Sequence, residues 1–247
     1  MTMLKGPILV ISDIHANLSA LETVLSDAKD YASVICLGDL AGYGPDINEV
    51  IEKIRSLENL ICVIGNHDAA LIGRLDLGAF NSDAQLALKW QKEVIKPENE
   101  EYLKSLPEKA FDGKVTIVHG SPRNPVWEYL LEPYSAAENF EYYETMLCFV
   151  GHSHQPICYL ENQHKTYAEW VVPQSGLTYQ LSRKTILNPG SVGQPRDHDP
   201  RASYAIFDPE KLTWMPRRVA YDISAVQQRI HEKDLPSRHA ARLRDGW

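Results

Sequence analysis

Short apolar runs in this chain end repeatedly in side chains that can bind a metal ion. Ile8–Ser12 is followed by Asp13 and His15, and Ser33–Gly38 ends on Asp39. Leu60–Gly65 leads to Asn66, His67 and Asp68, Val115–Val118 to His119, and Leu147–Val150 to His152 and His154. Each placement has an ordinary explanation by itself. An aspartate can cap a helix or brace a glycine turn, and a histidine can be solvated or packed. Five such ends coincide here, and a shared polynuclear metal site explains them together. Mixed nitrogen and oxygen donors suit Mn²⁺, Fe or Zn²⁺ better than Mg²⁺ or Ca²⁺. The segment VGHSH (Val150–His154) leaves one question open. On a continued strand, residues i and i+2 face opposite sides, and a helix does not bring them together either.

These donors need elements that converge. Ile8–Ser12, Ser33–Gly38 and Leu60–Gly65 read as buried strands. Between them, Leu18, Leu21, Val24, Leu25 and Ala28 keep helical spacing, as do Ile47, Val50, Ile51, Ile54 and Leu57. This βαβαβ pattern predicts a parallel sheet, with ligands bound beyond the carboxyl ends of its strands. The stretch 69–109 reads as mostly helical, and Lys114–Gly120 and Leu147–Gly151 as further strands. Beyond Gln155, Ile157–Leu160, Thr166–Val172, Ser203–Phe207 and Thr213–Val219 alternate with turn signals, which predicts antiparallel hairpins. Ile223–Leu243 is a charged, partly helical tail interrupted by Pro236. No repeat or linker divides the chain, so one domain is expected over 1–247, with helical or loop insertions near 69–110 and 122–146.

Composition narrows the class. The 247 residues are 44% hydrophobic, enough for a substantial core, and the net charge of −8 disfavours broad binding to nucleic acid or an anionic membrane. No targeting segment or membrane span is expected. Cys36, Cys62, Cys148 and Cys158 sit inside apolar runs without CxxC spacing, as buried strand thiols of a cytoplasmic protein would.

The motifs DxH (Asp13–His15), GD (Gly38–Asp39), GNHD (Gly65–Asp68), HG (His119–Gly120) and GHSH (Gly151–His154), in that order, resemble the calcineurin-like metallophosphoesterase superfamily. DIHANLSAL and GDLAGYGP narrow the resemblance to its small bacterial and archaeal phosphodiesterase-like branch. The resemblance implies an α/β fold: a four-layer αββα sandwich of two mixed β-sheets flanked by helices. It also implies two divalent transition metal ions, manganese first, with iron or zinc as alternatives. Asp13, His15 and His154 would hold one ion, Asn66, His119 and His152 the other, and Asp39 would bridge them. His67 would act as general acid, with Asp68 orienting its ring, while a metal-bridging hydroxide attacks a phosphodiester in line. A two-metal site holding only two carboxylates keeps residual positive charge, which suits an anionic ester.

The sequence departs from the protein Ser/Thr phosphatases, which carry an Asp-Arg-Gly segment after GD, and GNHE in place of GNHD. Dinucleoside tetraphosphatases share that arginine segment and are disfavoured with them. Phosphodiesters remain, nucleotide-derived ones included, with small phosphomonoesters as the alternative and a catalytically silent metal-binding scaffold as a different class. Asn17, Tyr43 and Arg123 are candidate substrate-binding residues, although Asn17 could cap a helix, Tyr43 pack and Arg123 form an ion pair. Arg196 and His198, after NPGSVGQ, read as loop residues at the edge of the site. His164, His231 and His239 are expected at the surface. Trp90, Trp127, Tyr129, Tyr134, Tyr142 and Tyr143 would shape substrate access or a contact in a homo-oligomer.

Overall fold

A computed structural model describes residues 4–163 and 166–247, so the expectation for His164 lies outside the described residues. β1 (Ile8–Ile11), β2 (Ser33–Cys36) and β3 (Leu60–Cys62) pair in parallel, with α1 (Leu18–Asp27) and α2 (Ile47–Arg55) as the crossovers. The expected helical stretch resolves into α3 (Asn66–Leu71), α4 (Ser82–Val94) and α5 (Pro97–Ser105), with a 3₁₀ turn at Leu77–Ala79. Pro97 opens α5 at a position where its missing N–H costs nothing. Next come β4 (Lys109–Asp112), β5 (Val115–Val118), α6 (Pro133–Asn139) and β6 (Leu147–Phe149). The second half supplies β7 (Pro156–Leu160), β8 (Glu169–Val171), β9 (Tyr179–Gln180), β10 (Thr185–Pro189), β11 (Ala202–Asp208) and β12 (Thr213–Val219). It closes with α7 (Ile223–Glu232) and α8 (Ser237–Asp245).

The strands form two mixed sheets of six, in the orders β3-β2-β1-β11-β12-β9 and β4-β5-β6-β10-β7-β8. β11 runs antiparallel beside β1, so the late hairpin completes the sheet that the first residues begin. β10 is a fully buried strand that the sequence reading did not foresee, parallel to β6 and antiparallel to β7. Between the sheets lie Ile8 and Val10 of β1, Phe149, Leu187, Phe207 and Trp214. Alternate residues Leu9 and Ile11 turn outward onto Leu21, Val24, Val50 and Ile51 of α1 and α2. On the far side, Leu130, Ala136, Phe140 and Tyr143 cover Val118, Cys148, Tyr159 and Ile186. The layers therefore run helix, sheet, sheet, helix, as the resemblance implied.

The charged tail is ordered. α7 and α8 pack against Ala87 and Trp90 of α4 through Val226, Ile230, Leu235, Ala240 and Leu243. All four cysteines are buried and free. Among the described residues no helix is long and apolar enough to cross a membrane.

Phe149 sits between the sheets, its ring 5.2 Å from that of Phe207 and 5.1 Å from that of Trp214. Phe149→Ala should destabilise the protein by about 3–5 kcal/mol, read as a lower denaturation midpoint at unchanged m-value. A loss under about 1 kcal/mol would mean that the inter-sheet core is not packed as described.

Candidate metal centre

The donors gather where the strands end. Asp13 and His15 follow β1, Asp39 follows β2, Asn66 opens α3 after β3, His119 follows β5, and His152 and His154 follow β6. Asp13, His15, Asp39, His152 and His154 all adopt left-handed backbone, with φ between 49° and 65°. Non-glycine residues there cost roughly 1–3 kcal/mol each, and such strain gathers at functional sites. Two glycines permit the close packing. A Cβ on Gly65 would lie 2.0 Å from Asp39 Oδ1, and one on Gly42 (φ +93°) would lie 2.3 Å from His67 Nδ1.

Two donor sets meet on one carboxylate. Asp13, His15, Asp39 and His154 form the first, and Asp39, His119 and His152 the second. Asp39 Oδ2 lies 3.6 Å from His15 Nε2 and 3.3 Å from His119 Nε2. Asn66 Oδ1, 3.1 Å from His119 Nε2, and His152 Nδ1, 3.3 Å from it, complete the second set. In the first set His154 Nε2 is 3.4 Å from Asp13 Oδ1 and 3.1 Å from His15 Nε2. The histidines of VGHSH therefore enter separate sets that share Asp39.

Each imidazole is fixed through its other nitrogen. The Nδ1–H groups of His15, His119 and His154 donate to the carbonyls of Ala41 (2.7 Å), Leu37 (2.8 Å) and Gln194 (2.5 Å). His152 is turned the other way, with Nε2 3.1 Å from the Trp127 carbonyl and Nδ1 toward the cluster. Main-chain acceptors thus set each tautomer. They also leave the lone pairs of His15 and His154 facing each other, an unfavourable contact that a cation between them relieves. Asp39 Oδ2 is likewise buried without a hydrogen bond. Both observations fit divalent cations.

The protonation pattern agrees. Burial lowers His15 to about 4 and His152 to about 3, and holds His154 well below the ordinary range, so these rings are neutral donors. Burial pushes Asp13 up to about 6. Burial also opposes charge on Asp39, yet the His119 and His67 imidazoles hold it well below the usual carboxylate range. At His119, burial is outweighed by the Asp39 charge, which raises it to about 9.

The remaining expected residues divide. His67 is buried beside the cluster, its ring 4.6 Å from Tyr43 and 4.9 Å from both His15 and Phe80. Its Nδ1 has no hydrogen-bond partner, and burial holds it well below the ordinary range. Asp68 does not orient that ring. Its carboxylate accepts from the N–H groups of Ala41 (2.8 Å) and Gly65 (3.0 Å), joining two loops and capping α3. Asn17 is occupied structurally: it caps α1 through the Ala20 N–H and donates to the Gly193 carbonyl and Tyr221 hydroxyl. Arg123 is partnered by Glu128 and Glu138, so its charge is already matched.

Tyr43 lines the centre, its ring 4.6 Å from that of His15, and its hydroxyl accepts from Arg196. Arg196 is the cation whose charge reaches Asp13 and His15, a nearness the sequence reading undervalued. Tyr129 stacks on His152 at 3.6 Å, and Trp127 meets Phe80 at 5.1 Å. Trp90 instead packs on the tail helices, Tyr143 is core, and Tyr134 and Tyr142 are exposed. His231 is exposed as expected, but His239 is buried, 4.9 Å from the Tyr43 ring, with Nε2 3.1 Å from the Asp83 carbonyl. A helix that is polar by sequence turns this one histidine inward.

Two mixed sheets flanked by helices, with a buried His/Asp cluster where strands end, define a metallophosphoesterase-type architecture. Residues 7–212 match the calcineurin-like phosphoesterase superfamily domain, and the chain belongs to that superfamily. An uncharacterized protein of Methanocaldococcus jannaschii is 41% identical over 248 residues, covering 98% of each chain. The crystal structure of a metallophosphoesterase from Sphaerobacter thermophilus is similar at a TM-score of 0.91 and 46% identity, covering 98% of this chain and 99% of that one. A hypothetical protein from Pyrococcus horikoshii shares the fold at a TM-score of 0.74 and 22% identity, over 98% of both chains.

A proton on His119 competes with any cation for Nε2, so cation affinity should climb with pH until about 9 and then level. Titration calorimetry near pH 7 in two buffers of different ionisation enthalpy should show proton release on Mn²⁺ binding. Affinity that does not change with pH would contradict this arrangement. His154→Ala should deplete one metal equivalent more than the other, and equal loss of both would blur the division into two sets.

Proposed function

We propose that this protein is a dinuclear metallophosphoesterase acting on phosphodiesters, with Asp39 shared between the two ions. The observation that carries the reading is the pair of donor sets meeting on one buried, otherwise unpartnered carboxylate oxygen. Asp13, His15 and His154 would complete one ion's shell, and Asn66, His119 and His152 the other's. The resemblance puts manganese first, ahead of iron or zinc, and the mixed nitrogen and oxygen donors suit all three. When bound, such ions supply Lewis acidity and lower the pKa of water.

The chain's own groups supply the rest. Main-chain carbonyls fix the imidazoles before substrate arrives, so little reorganisation accompanies binding. His67 is the proposed general acid, aimed at the leaving-group oxygen. Resting neutral against Tyr43 and Phe80, it gains proton affinity when an anionic ester brings negative charge beside it. Phosphoprotein substrates are disfavoured because the arginine segment of the phosphoprotein phosphatases is absent after Gly38–Asp39, which leaves diesters and small phosphomonoesters. Phosphodiesters are the substrate class, nucleotide-derived ones included, hydrolysed by one catalytic domain in the cytoplasm, where buried free thiols persist.

Purified protein loaded with Mn²⁺ should hydrolyse bis-p-nitrophenyl phosphate faster than p-nitrophenyl phosphate, and chelation should abolish both. The reverse ratio would make it a monoesterase; metal content without turnover of either would make it a scaffold. His67→Asn should keep its metal and lower kcat by about 10²–10⁴-fold on esters with poor leaving groups. Unchanged kcat on such esters would remove the acid role.

A further inference from the structure

Arg196 follows a loop that is part of the centre. Ser191 Oγ donates to the Asp13 carbonyl at 2.8 Å, and the Gln194 carbonyl accepts from His154. The Arg196 guanidinium donates through Nη2 to the Tyr43 hydroxyl (3.1 Å) and Gln194 Oε1 (3.2 Å). Its carbon lies 5.7 Å from the Tyr43 ring centroid, and its Nε is buried without a partner. Arg123, Arg183, Arg201, Arg217, Arg218 and Arg229 each pair with a carboxylate. Arg196 makes no such pair among the described residues, although it adjoins the phosphoesterase centre.

Arg242 on α8 shares these features: no carboxylate partner among the described residues, and a buried Nε without a hydrogen bond. α8 is anchored beside Arg196 at both ends. His239 packs on Tyr43, the Gly246 carbonyl accepts from the His198 N–H at 2.8 Å, and Trp247 stacks on His198 at 5.1 Å. Arg242 lies one helical turn beyond His239 on α8, and His239 and Arg196 both approach the Tyr43 ring. Each guanidinium keeps a buried Nε without an acceptor among the described residues, and an anion between them would supply one.

We propose that Arg196 and Arg242 form one anion-recognising face beside the metal centre. Arg196 engages the phosphoryl group being hydrolysed, and Arg242 engages a second anionic group of the same substrate. The preferred esters are then phosphodiesters carrying a further phosphate. This rests on the phosphoesterase reading and sharpens its substrate class. Arg242 lies beyond the residues that match the superfamily domain, so the second charge comes from the tail helices.

Equilibrium binding tests the face apart from turnover. Thymidine 5′-monophosphate and thymidine 3′,5′-bisphosphate would be titrated into the protein as purified and after Mn²⁺ loading. Wild type should bind the bisphosphate about tenfold more tightly than the monophosphate. Arg242→Gln should bring the two affinities together, leaving the monophosphate affinity unchanged. Arg196→Gln should weaken both by about 10–100-fold with metal content intact, and Arg196→Lys should restore only part. The proposal fails if wild type does not discriminate, if Arg242→Gln still discriminates, or if Arg196→Gln loses metal rather than anion affinity. Hydrolysis of bis-p-nitrophenyl phosphate by wild type judges the phosphoesterase reading independently of these affinities.

Discussion

The structure turns on one oxygen. Asp39 Oδ2 is buried, has no neutral hydrogen-bond donor among the described residues, and lies within 3.6 Å of imidazole nitrogens from both donor sets. An isolated buried carboxylate carries a penalty of several kcal/mol, so its neighbours must supply positive charge. His119 does so with a proton, and divalent cations would do so more fully. Asp39 Oδ1 is tied to the His67 N–H at 2.9 Å, which leaves Oδ2 free to serve both sets. The pairing of β2 beside β1 in the first sheet delivers Asp39 beside Asp13 and His15.

Holding donors around that oxygen explains the unusual backbone. A strand continued past β1 or β6 would send alternate side chains to opposite faces. Left-handed residues at Asp13, His15, His152 and His154 bend the chain so that residues two apart serve adjoining positions. The adjoining loops after β2, β5 and β10 offer main-chain carbonyls that no longer serve a sheet and fix the imidazole tautomers instead. Local strain is thus tolerated because the inter-sheet core fixes the strands from which the loops depart.

What was legible in the sequence follows from range. The donors could be read because their types are chemically restricted and each follows a recognisable apolar strand. β10 could not, because five residues after a polar stretch acquire strand character only by pairing with distant β6 and β7. Asp68 has the right type to orient His67, but its position at the start of α3 also offers the Gly65 N–H, and that contact wins. Arg123 and Arg196 look alike in sequence; Glu128 and Glu138 neutralise the first, while the second has only tyrosine and glutamine partners. His239 sits in a charged helix, and its burial depends on Tyr43, nearly the whole chain away.

The centre therefore has two electrostatic demands of opposite sign. Facing imidazole lone pairs and a bare carboxylate oxygen call for cations, while two guanidiniums without carboxylate partners call for an anion. Tyr43 lies between them, touching His15 and His67 on one side and Arg196 and His239 on the other. A phosphoester satisfies the second demand only where cations have met the first, since otherwise Asp13 and Asp39 would repel it. His67 stands at that junction, neutral while the anion is absent because burial, with the Arg196 charge added to it, opposes a proton there. On the proposed function, an ester's negative charge would reverse that balance and couple proton donation by His67 to occupancy of the site.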